Sequence, residues 1–160
     1  MKFKLWHLLL AAGLFYGCVS SDDDIAGCVE ETPADQAATI DNYVAANGLT
    51  VQTTTSGLRY VINTPGMGDN AELGDTLEVS FEGFFLDGTT FGQGVFDPFE
   101  FGAVSLIPGF AEGLSLMNEG AQATLILPSA IAYGCFPPQG SSIGQNEILI
   151  FEVTMLSISP

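Results

Sequence analysis

The sequence predicts an α+β fold in which an antiparallel sheet lies over one helix. Three observations lead there. Runs of alternating apolar and polar residues recur after Thr50, as half-buried strands require. The stretch Leu106–Gly120 switches to helical spacing between those runs. Asp87-Gly88, a strong tight-turn signal, joins two of the runs as neighbours.

Lys2 and Lys4 precede an apolar run from Leu5 to Tyr16, followed by Gly17. A charged start, a short apolar core and a small residue at the break describe a secretory signal over residues 1–17, too short to be a stop-transfer helix. Cys18 directly after the break resembles a bacterial lipoprotein signal, which implies a lipid on Cys18 and cleavage before it. Residues 18–32 are expected to form a disordered acidic tether, since Ser20-Ser21-Asp22-Asp23-Asp24 is polar and like-charged. An acidic run in that place is similar to the surface-export signals of some Gram-negative lipoproteins. The expected location is the outer membrane, with the protein facing the periplasm or exported to the cell surface.

Residues 33–48 read as an amphipathic leading helix, with Ile40, Tyr43 and Val44 on one face and Gly48 as its stop. That face packs either on the domain or on a second copy, so a homodimer through residues 33–48 is one of two readings.

The sheet domain spans residues 50–160. Thr50–Thr55, rich in Thr and Val, and the alternating Leu58–Ile62 read as strands. Pro65-Gly66 and Gly68-Asp69-Asn70 mark a loop. Leu77, Val79 and Phe81 alternate with Glu78, Ser80 and Glu82 in a strand that continues to Leu86. Thr89–Phe91 starts the return, Gly92–Pro98 reads as an irregular loop, and Phe99–Phe101 as a short strand. In the helical stretch, Pro108 suits a first position, where no backbone N–H is needed. Phe110, Leu114 and Met117 then form one apolar stripe, Glu112 suits the first turn, and Gly120 is expected to end about three turns of helix. Leu106 and Ile107, at its entrance, are presented backbone-first. Gln122–Leu127 is a strand stopped by Pro128. The last strand, Glu147–Ile158, carries Leu149, Phe151 and Val153 on one face, while Ile148 and Ile150 make it apolar on both sides, as in a central strand.

Composition narrows the chemistry. Beyond the signal, Arg59 is the only basic side chain against 19 acids, a formal charge of −18. This excludes nucleic acid as a partner and excludes binding to anionic membrane through basic residues. His7 and Trp6 both lie in the signal, so the mature chain has neither His nor Trp. A Ser-His-Asp triad, a Cys-His pair and a His-ligated metal are therefore out of reach. No metal and no cofactor are expected. Cys28 and Cys135 are the thiols left besides Cys18, either bridged or separate.

The run Ile107-Pro108-Gly109-Phe110-Ala111-Glu112-Gly113-Leu114 is similar to the V-I-P-G-W-x-E-G-L signature of the FKBP-type peptidyl-prolyl isomerases. Further markers follow in family order: Ser56–Tyr60, Gly74-Asp75-Thr76, Asp87–Phe91, Pro98–Phe101, Leu127-Pro128, Ala132-Tyr133-Gly134 and Leu149–Val153. The resemblance covers Thr54 to Ile158. It implies a curved antiparallel sheet wrapped around one short helix that floors the active site. It implies catalytic roles for Tyr133, Phe91, Phe99 and Ile107, and a substrate-binding wall of Phe81, Leu106, Phe110, Ile143 and Phe151. Phe99, Phe110 and Phe151 would hold the proline ring, while the Ile107 N–H and the Tyr133 hydroxyl would donate to peptide carbonyls. The sequence departs from the pattern where the family has Asp after the Phe of D-G-x-x-F, here Gly92. It departs again at the floor Trp, here Phe110, at a Tyr that is Phe81, and through the loop Cys135–Asn146.

Rotation about an Xaa-Pro bond needs no nucleophile and no metal. An apolar pocket lined by rings favours the twisted, less dipolar imide, so catalysis is differential binding of the transition state. The expected function is a prolyl isomerase that assists folding of proline-containing polypeptides outside the cytoplasm, held to the membrane by its lipid. The departures at Gly92 and Phe110 favour the alternative, a catalytically weak binding or chaperone module on the cell surface.

Overall fold

The computed structural model describes residues 27–160. The expected signal, Cys18 and the acidic run Asp22–Asp24 lie outside the described residues.

The first element is helix α1, Pro33–Ala46. Thr32 caps it. The Asp35 N–H donates to the Thr32 hydroxyl at 3.3 Å, and the Thr32 N–H donates back to the Asp35 carboxylate at 2.8 Å. This reciprocal box satisfies two donors that would otherwise be orphaned. Asn47 closes the helix, and Gly48 follows at φ +63°. Ile40 is fully buried against Ile126, Ile148 and Ile150, with Tyr43 and Val44 packed at the margin. The apolar face of α1 is thus spent on this chain's own sheet. Burying one such isoleucine contributes about 1.5–3 kcal/mol.

That sheet has six antiparallel strands in the order β1-β2-β7-β8-β4-β5. They are β1 (Gln52–Thr53), β2 (Arg59–Thr64), β4 (Thr76–Phe84), β5 (Thr90–Glu100), β7 (Gln122–Leu127) and β8 (Leu149–Ser159). The eleven-residue β8 is central, as its two apolar faces predict: Leu149, Phe151 and Val153 point to the main core, and Ile148 and Ile150 to α1. Helix α2, Pro108–Ser115, lies against the other face and buries Phe110 and Leu114 with Leu77, Val79, Leu125 and Met155. A Cβ at Gly113 would stand 2.3 Å from Leu125 Cδ1, so only glycine lets α2 approach β7 this closely.

Four elements differ from the sequence-based expectation. α2 ends at Ser115, capped by Leu116, so Met117 is buried just beyond the helix and not on its stripe. Gly120, at φ +79°, instead turns the chain into β7 and donates its N–H to the Met155 carbonyl. Met67–Asn70, expected as loop, is strand β3 and pairs with β6, Asn118–Glu119. Strand β1 is two residues where Thr50–Thr55 was expected. The largest difference is β5, which runs straight through the expected loop Gly92–Pro98 by pairing with β4. Pairing overrides weak strand propensity here, and Pro98 is tolerated because β5 is an edge strand.

Cys28 and Cys135 are joined by a disulfide, with Cα atoms 5.6 Å apart. The sequence left this pairing open. The bridge ties the segment before α1 to the loop after Tyr133. Among the described residues no helix is long and apolar enough to cross a membrane.

Candidate active site

The chain enters α2 through Ile107, which is extended at φ −63°, ψ 140°. Its carbonyl accepts from Phe110 and Ala111, but its own N–H makes no hydrogen bond among the described residues. Pro108 supplies the first helical position without an N–H, and one turn in, Phe110 drops into the floor. A hollow of about 610 Å³ opens above it, lined by Phe81, Phe91, Phe96, Leu106, Ile107, Tyr133, Ile143 and Phe151 among others.

The rings form one continuous cluster. Phe110 and Phe151 have centroids 5.0 Å apart, and Phe91 stands edge-on to Phe151 at 5.4 Å. Phe81 stacks on Phe96 at 5.0 Å and meets Phe110 edge-on at 6.2 Å. Such pairs contribute about 0.5–1.5 kcal/mol each beyond burial and fix the rings in place. Among the described residues no carboxylate, amine or imidazole lines the hollow. Its polar groups are few, and the half-buried Tyr133 hydroxyl has no partner among the described residues. With the Ile107 N–H, that makes two unspent donors over an aromatic floor.

Nearly all the expected site residues meet here. Phe81, Phe91, Leu106, Ile107, Phe110, Tyr133, Ile143 and Phe151 all line the hollow. Phe99 does not. It stands behind Phe96, with centroids 5.8 Å apart, and Phe96 takes the wall position that the resemblance gave to Phe99. The reason is register. Gly92 pairs with Gly83, Gly94 with Phe81 and Phe96 with Val79, so these alternate residues of β5 share the inward face. Phe91 falls at the shift between Gly83 and Phe84, which lets its ring also reach inward over Gly83. The signal for Phe96 was the alternation Gly92, Gly94, Phe96, hidden by reading those residues as loop. Gly92 leaves open space on the wall, and Phe81 carries no hydroxyl that would need a partner there.

The far wall is the loop Cys135–Asn146, through Pro138, Ser141 and Ile143. Ser141 Oγ donates to the Pro138 carbonyl at 2.7 Å and accepts from the Ile143 N–H. Asn146, at φ 54°, closes the loop. Its side-chain amide donates to the Val29 carbonyl at 2.7 Å, and its side-chain oxygen accepts from the Glu31 N–H at 3.3 Å. Gln36 of α1 donates to the Asn146 carbonyl at 2.8 Å and accepts from the Ser129 N–H at 2.7 Å. The disulfide and these bonds hold the loop to the segment Cys28–Glu31. A second hollow of about 570 Å³, on the other side of the sheet near Glu82 and Glu152, has a more polar wall and no comparable ring cluster.

The hollow thus offers rings and two unspent donors and, among the described residues, no group titrating near neutral pH in its lining. The sequence profile described as FKBP-type peptidyl-prolyl cis-trans isomerase matches residues 68–156. The chain is 38% identical over 110 residues to a probable FKBP-type peptidyl-prolyl cis-trans isomerase FkpA of Neisseria meningitidis serogroup B, covering 68% of this chain and 40% of that one. It is 36% identical over 107 residues to the outer membrane protein MIP of Legionella longbeachae, covering 64% and 45%. Its fold superposes on the crystal structure of a peptidyl-prolyl cis-trans isomerase from Pseudomonas syringae pv. tomato with a TM-score of 0.63 at 25% identity, covering 82% of this chain and 99% of that one. The chain belongs to the FKBP-type peptidyl-prolyl cis-trans isomerase family. It spans less than half the length of these two curated relatives.

Proposed function

We propose that this protein is a peptidyl-prolyl cis-trans isomerase acting on proline-containing polypeptides outside the cytoplasm, with residues 50–160 as the catalytic domain. The observation that carries this is the pair of unspent donors, Ile107 N–H and Tyr133 hydroxyl, over the Phe110–Phe151 floor. Rotation about an Xaa-Pro bond faces a barrier of about 18–20 kcal/mol because amide resonance must be lost. The flat imide is the more dipolar form and is well solvated by water. A water-poor aromatic hollow solvates the half-rotated form better by comparison, which lowers the barrier. In this reading Phe96, Phe110 and Phe151 grip the proline ring. Ile107 and Tyr133 hold the flanking carbonyls, and Phe91 and Leu106 exclude water. Phe81 completes the wall, Phe99 backs it from behind Phe96, and Ile143 forms the rim.

Exchange spectroscopy by NMR on Xaa-Pro peptides, with the full chain added in catalytic amounts, tests the proposal. Faster cis-trans exchange is expected, and it should fall when Tyr133→Phe and Phe110→Ala are introduced. Exchange no faster than in buffer at high protein concentration would sink it.

The Legionella relative's name, outer membrane protein, supports an extracytoplasmic location, and so does the Cys28–Cys135 bridge, since disulfides persist in oxidising compartments. Cys18 would carry the lipid, with residues 1–17 as signal; the tether expected over 18–32 is shorter than that, because Cys28–Thr32 is fastened to the domain by the disulfide, Asn146 and the cap of α1. Mass spectrometry of the membrane fraction checks this: an unmodified Cys18 there would end it. Burial of Ile40 under the sheet gives α1 a partner within the chain, which disfavours a homodimer through residues 33–48. A second reading, a catalytically weak binding or chaperone module, draws on Phe136, which is 80% exposed on the loop beside the hollow. It predicts peptide binding that is lost on Phe96→Ala with no exchange in the parent.

A further inference from the structure

The buried stripe of α1 carries one residue whose polarity does not suit it. Gln36 lies one helical turn before Ile40, on the same face, and is only 4% exposed. An apolar side chain would pack there at no polar cost. A buried amide is destabilising unless both its ends are bonded. Here both are. The Gln36 side-chain oxygen accepts from the Ser129 N–H at 2.7 Å, and its side-chain nitrogen donates to the Asn146 carbonyl at 2.8 Å.

These two bonds complete a closed ring. The Asn146 N–H donates to the Gly134 carbonyl at 2.8 Å, and the Gly134 N–H donates to the Ser129 carbonyl at 2.9 Å. Within the ring, Gln36, Ser129, Gly134 and Asn146 each give one bond and take one. Ser129 and Asn146 stand at the two ends of the segment that brings Tyr133, Pro138, Ser141 and Ile143 to the hollow. Apart from one turn of 3-10 helix, Ser129–Ile131, that segment has no regular structure. The ring is therefore its frame. Ser129 and Gly134 are buried, so water competes poorly for these bonds. Gly134, at φ +51°, directly follows Tyr133. Holding Gly134 fixes the backbone from which the Tyr133 hydroxyl is aimed. Gln36 is the one member of the ring that comes from α1, and without its amide the ring opens at two points.

We propose that Gln36 is a positioning residue for the isomerase reaction, acting through Ser129, Asn146 and Gly134 on the aim of the Tyr133 hydroxyl. The proposal rests on the isomerase reading and makes α1 a working part of the site. The Cys28–Cys135 bridge holds the residue after Gly134 separately and is untouched by a change at Gln36.

The test is a double-mutant cycle of Gln36→Met with Tyr133→Phe in the full chain, read by exchange NMR and by titration with one Xaa-Pro peptide. Methionine keeps the length of the side chain and removes both bonds. Gln36→Met alone is expected to lower kcat/KM and peptide affinity by about tenfold. In the Tyr133→Phe chain there is no hydroxyl to aim, so the same change should lower both by less than about threefold. The fall in melting temperature should be equal in the two backgrounds, because the Tyr133 hydroxyl is no part of the ring. A glutamine that only supports the fold would give equal kinetic losses in both backgrounds, and that result would overturn the proposal. So would Gln36→Met with unchanged kinetics. Hydrogen exchange in the parent adds a check that needs no variant to fold. The Ser129 N–H, whose partner is Gln36, should exchange as slowly as the amides of β7, and exchange as fast as in an open loop would overturn the proposal. Failure of the isomerase reading has a different signature: the parent leaves peptide exchange no faster than in buffer. The same cycle in dissociation constants then still decides whether Gln36 acts through Tyr133.

Discussion

The ring of Phe91 covers Gly83 so closely that a Cβ on that glycine would stand 2.4 Å from the ring's Cζ. Gly83 belongs to β4 and pairs with Gly92, while Phe91 occupies the adjoining register shift in β5. The missing side chain is what allows the bulged ring to lie down and meet Phe151 edge-on at 5.4 Å. Gly83→Ala should push the ring off its strand. Overpacking of this kind costs about 1–3 kcal/mol of stability. The larger effect should be on the site, since a shift of about 1 Å in a wall group reduces kcat/KM by tenfold or more. Thermal melting together with exchange kinetics checks both. A variant with unchanged kinetics would remove Phe91 from the working wall.

Phe96 and Phe99 separate what the register places in the wall from what the family pattern placed there. Phe96 touches Phe81 and Phe110 around the hollow, while Phe99 touches only Phe96 among the ring pairs. Removing a ring that contacts bound proline forfeits apolar burial of about 1.5 kcal/mol or more, roughly tenfold in affinity. Phe96→Ala should therefore raise the peptide dissociation constant by about tenfold, and Phe99→Ala by no more than about threefold. Titration of both variants with one Xaa-Pro peptide measures the order, and the reverse order would restore Phe99 to the wall.

The case of β5 also explains what the sequence could disclose. α2 was legible because Pro108 and Phe110 obey a local helical rule, and α1 because Ile40, Tyr43 and Val44 share a face. The double-sided apolar pattern of Ile148 to Val153 announced a central strand, and the structure covers both its faces. Eight of the nine expected pocket residues meet in the hollow, brought from β4, β5, the entrance and first turn of α2, the loop before β8 and β8 itself. Phe96 was hidden because Gly92, Gly94 and Pro98 are poor strand formers in isolation, and only pairing with β4 fixes their direction. The short pair β3 and β6 was hidden likewise, since partners some fifty residues apart leave no local pattern. The end of α2 was misplaced for the opposite reason. Met117 and Gly120 continue a helical rule that tertiary bonds override, with Gly120 bonded to Met155 instead.

The Cys28–Cys135 bridge closes a long loop, with 107 residues of separation. Loops of that order gain about 2–5 kcal/mol from a cross-link. The double variant Cys28→Ser, Cys135→Ser should melt correspondingly lower. The loss should be local in its dynamics. Hydrogen exchange is expected to accelerate in residues 136–145, which lose their tie to the N-terminal segment. Strands β7 and β8, buried between α1 and α2, should keep their protection. Uniform acceleration over the whole sheet would show that the bridge supports global stability and not the wall of the hollow.

Acid should act on the cap of α1 and leave the chemistry of the hollow alone. The Thr32 hydroxyl, and secondarily the Thr32 backbone N–H, hold the Asp35 carboxyl below its ordinary value of 3.8. A depressed carboxylate contributes stability that is complete above the unfolded value and is lost as pH falls through the folded one. The melting temperature of the parent should therefore exceed that of Asp35→Asn by a constant margin from about pH 5 upward. Below 3.8 the margin should shrink towards zero as the Asp35 carboxyl takes up its proton and becomes neutral, as the amide already is. In the same range near neutrality, kcat/KM should be flat between about pH 6 and 8, because no His lies in the described chain and no carboxylate lines the hollow. A bell-shaped rate profile there would require a titrating group in catalysis. A margin that grows in acid would mean that Asp35 is not stabilised as its carboxylate.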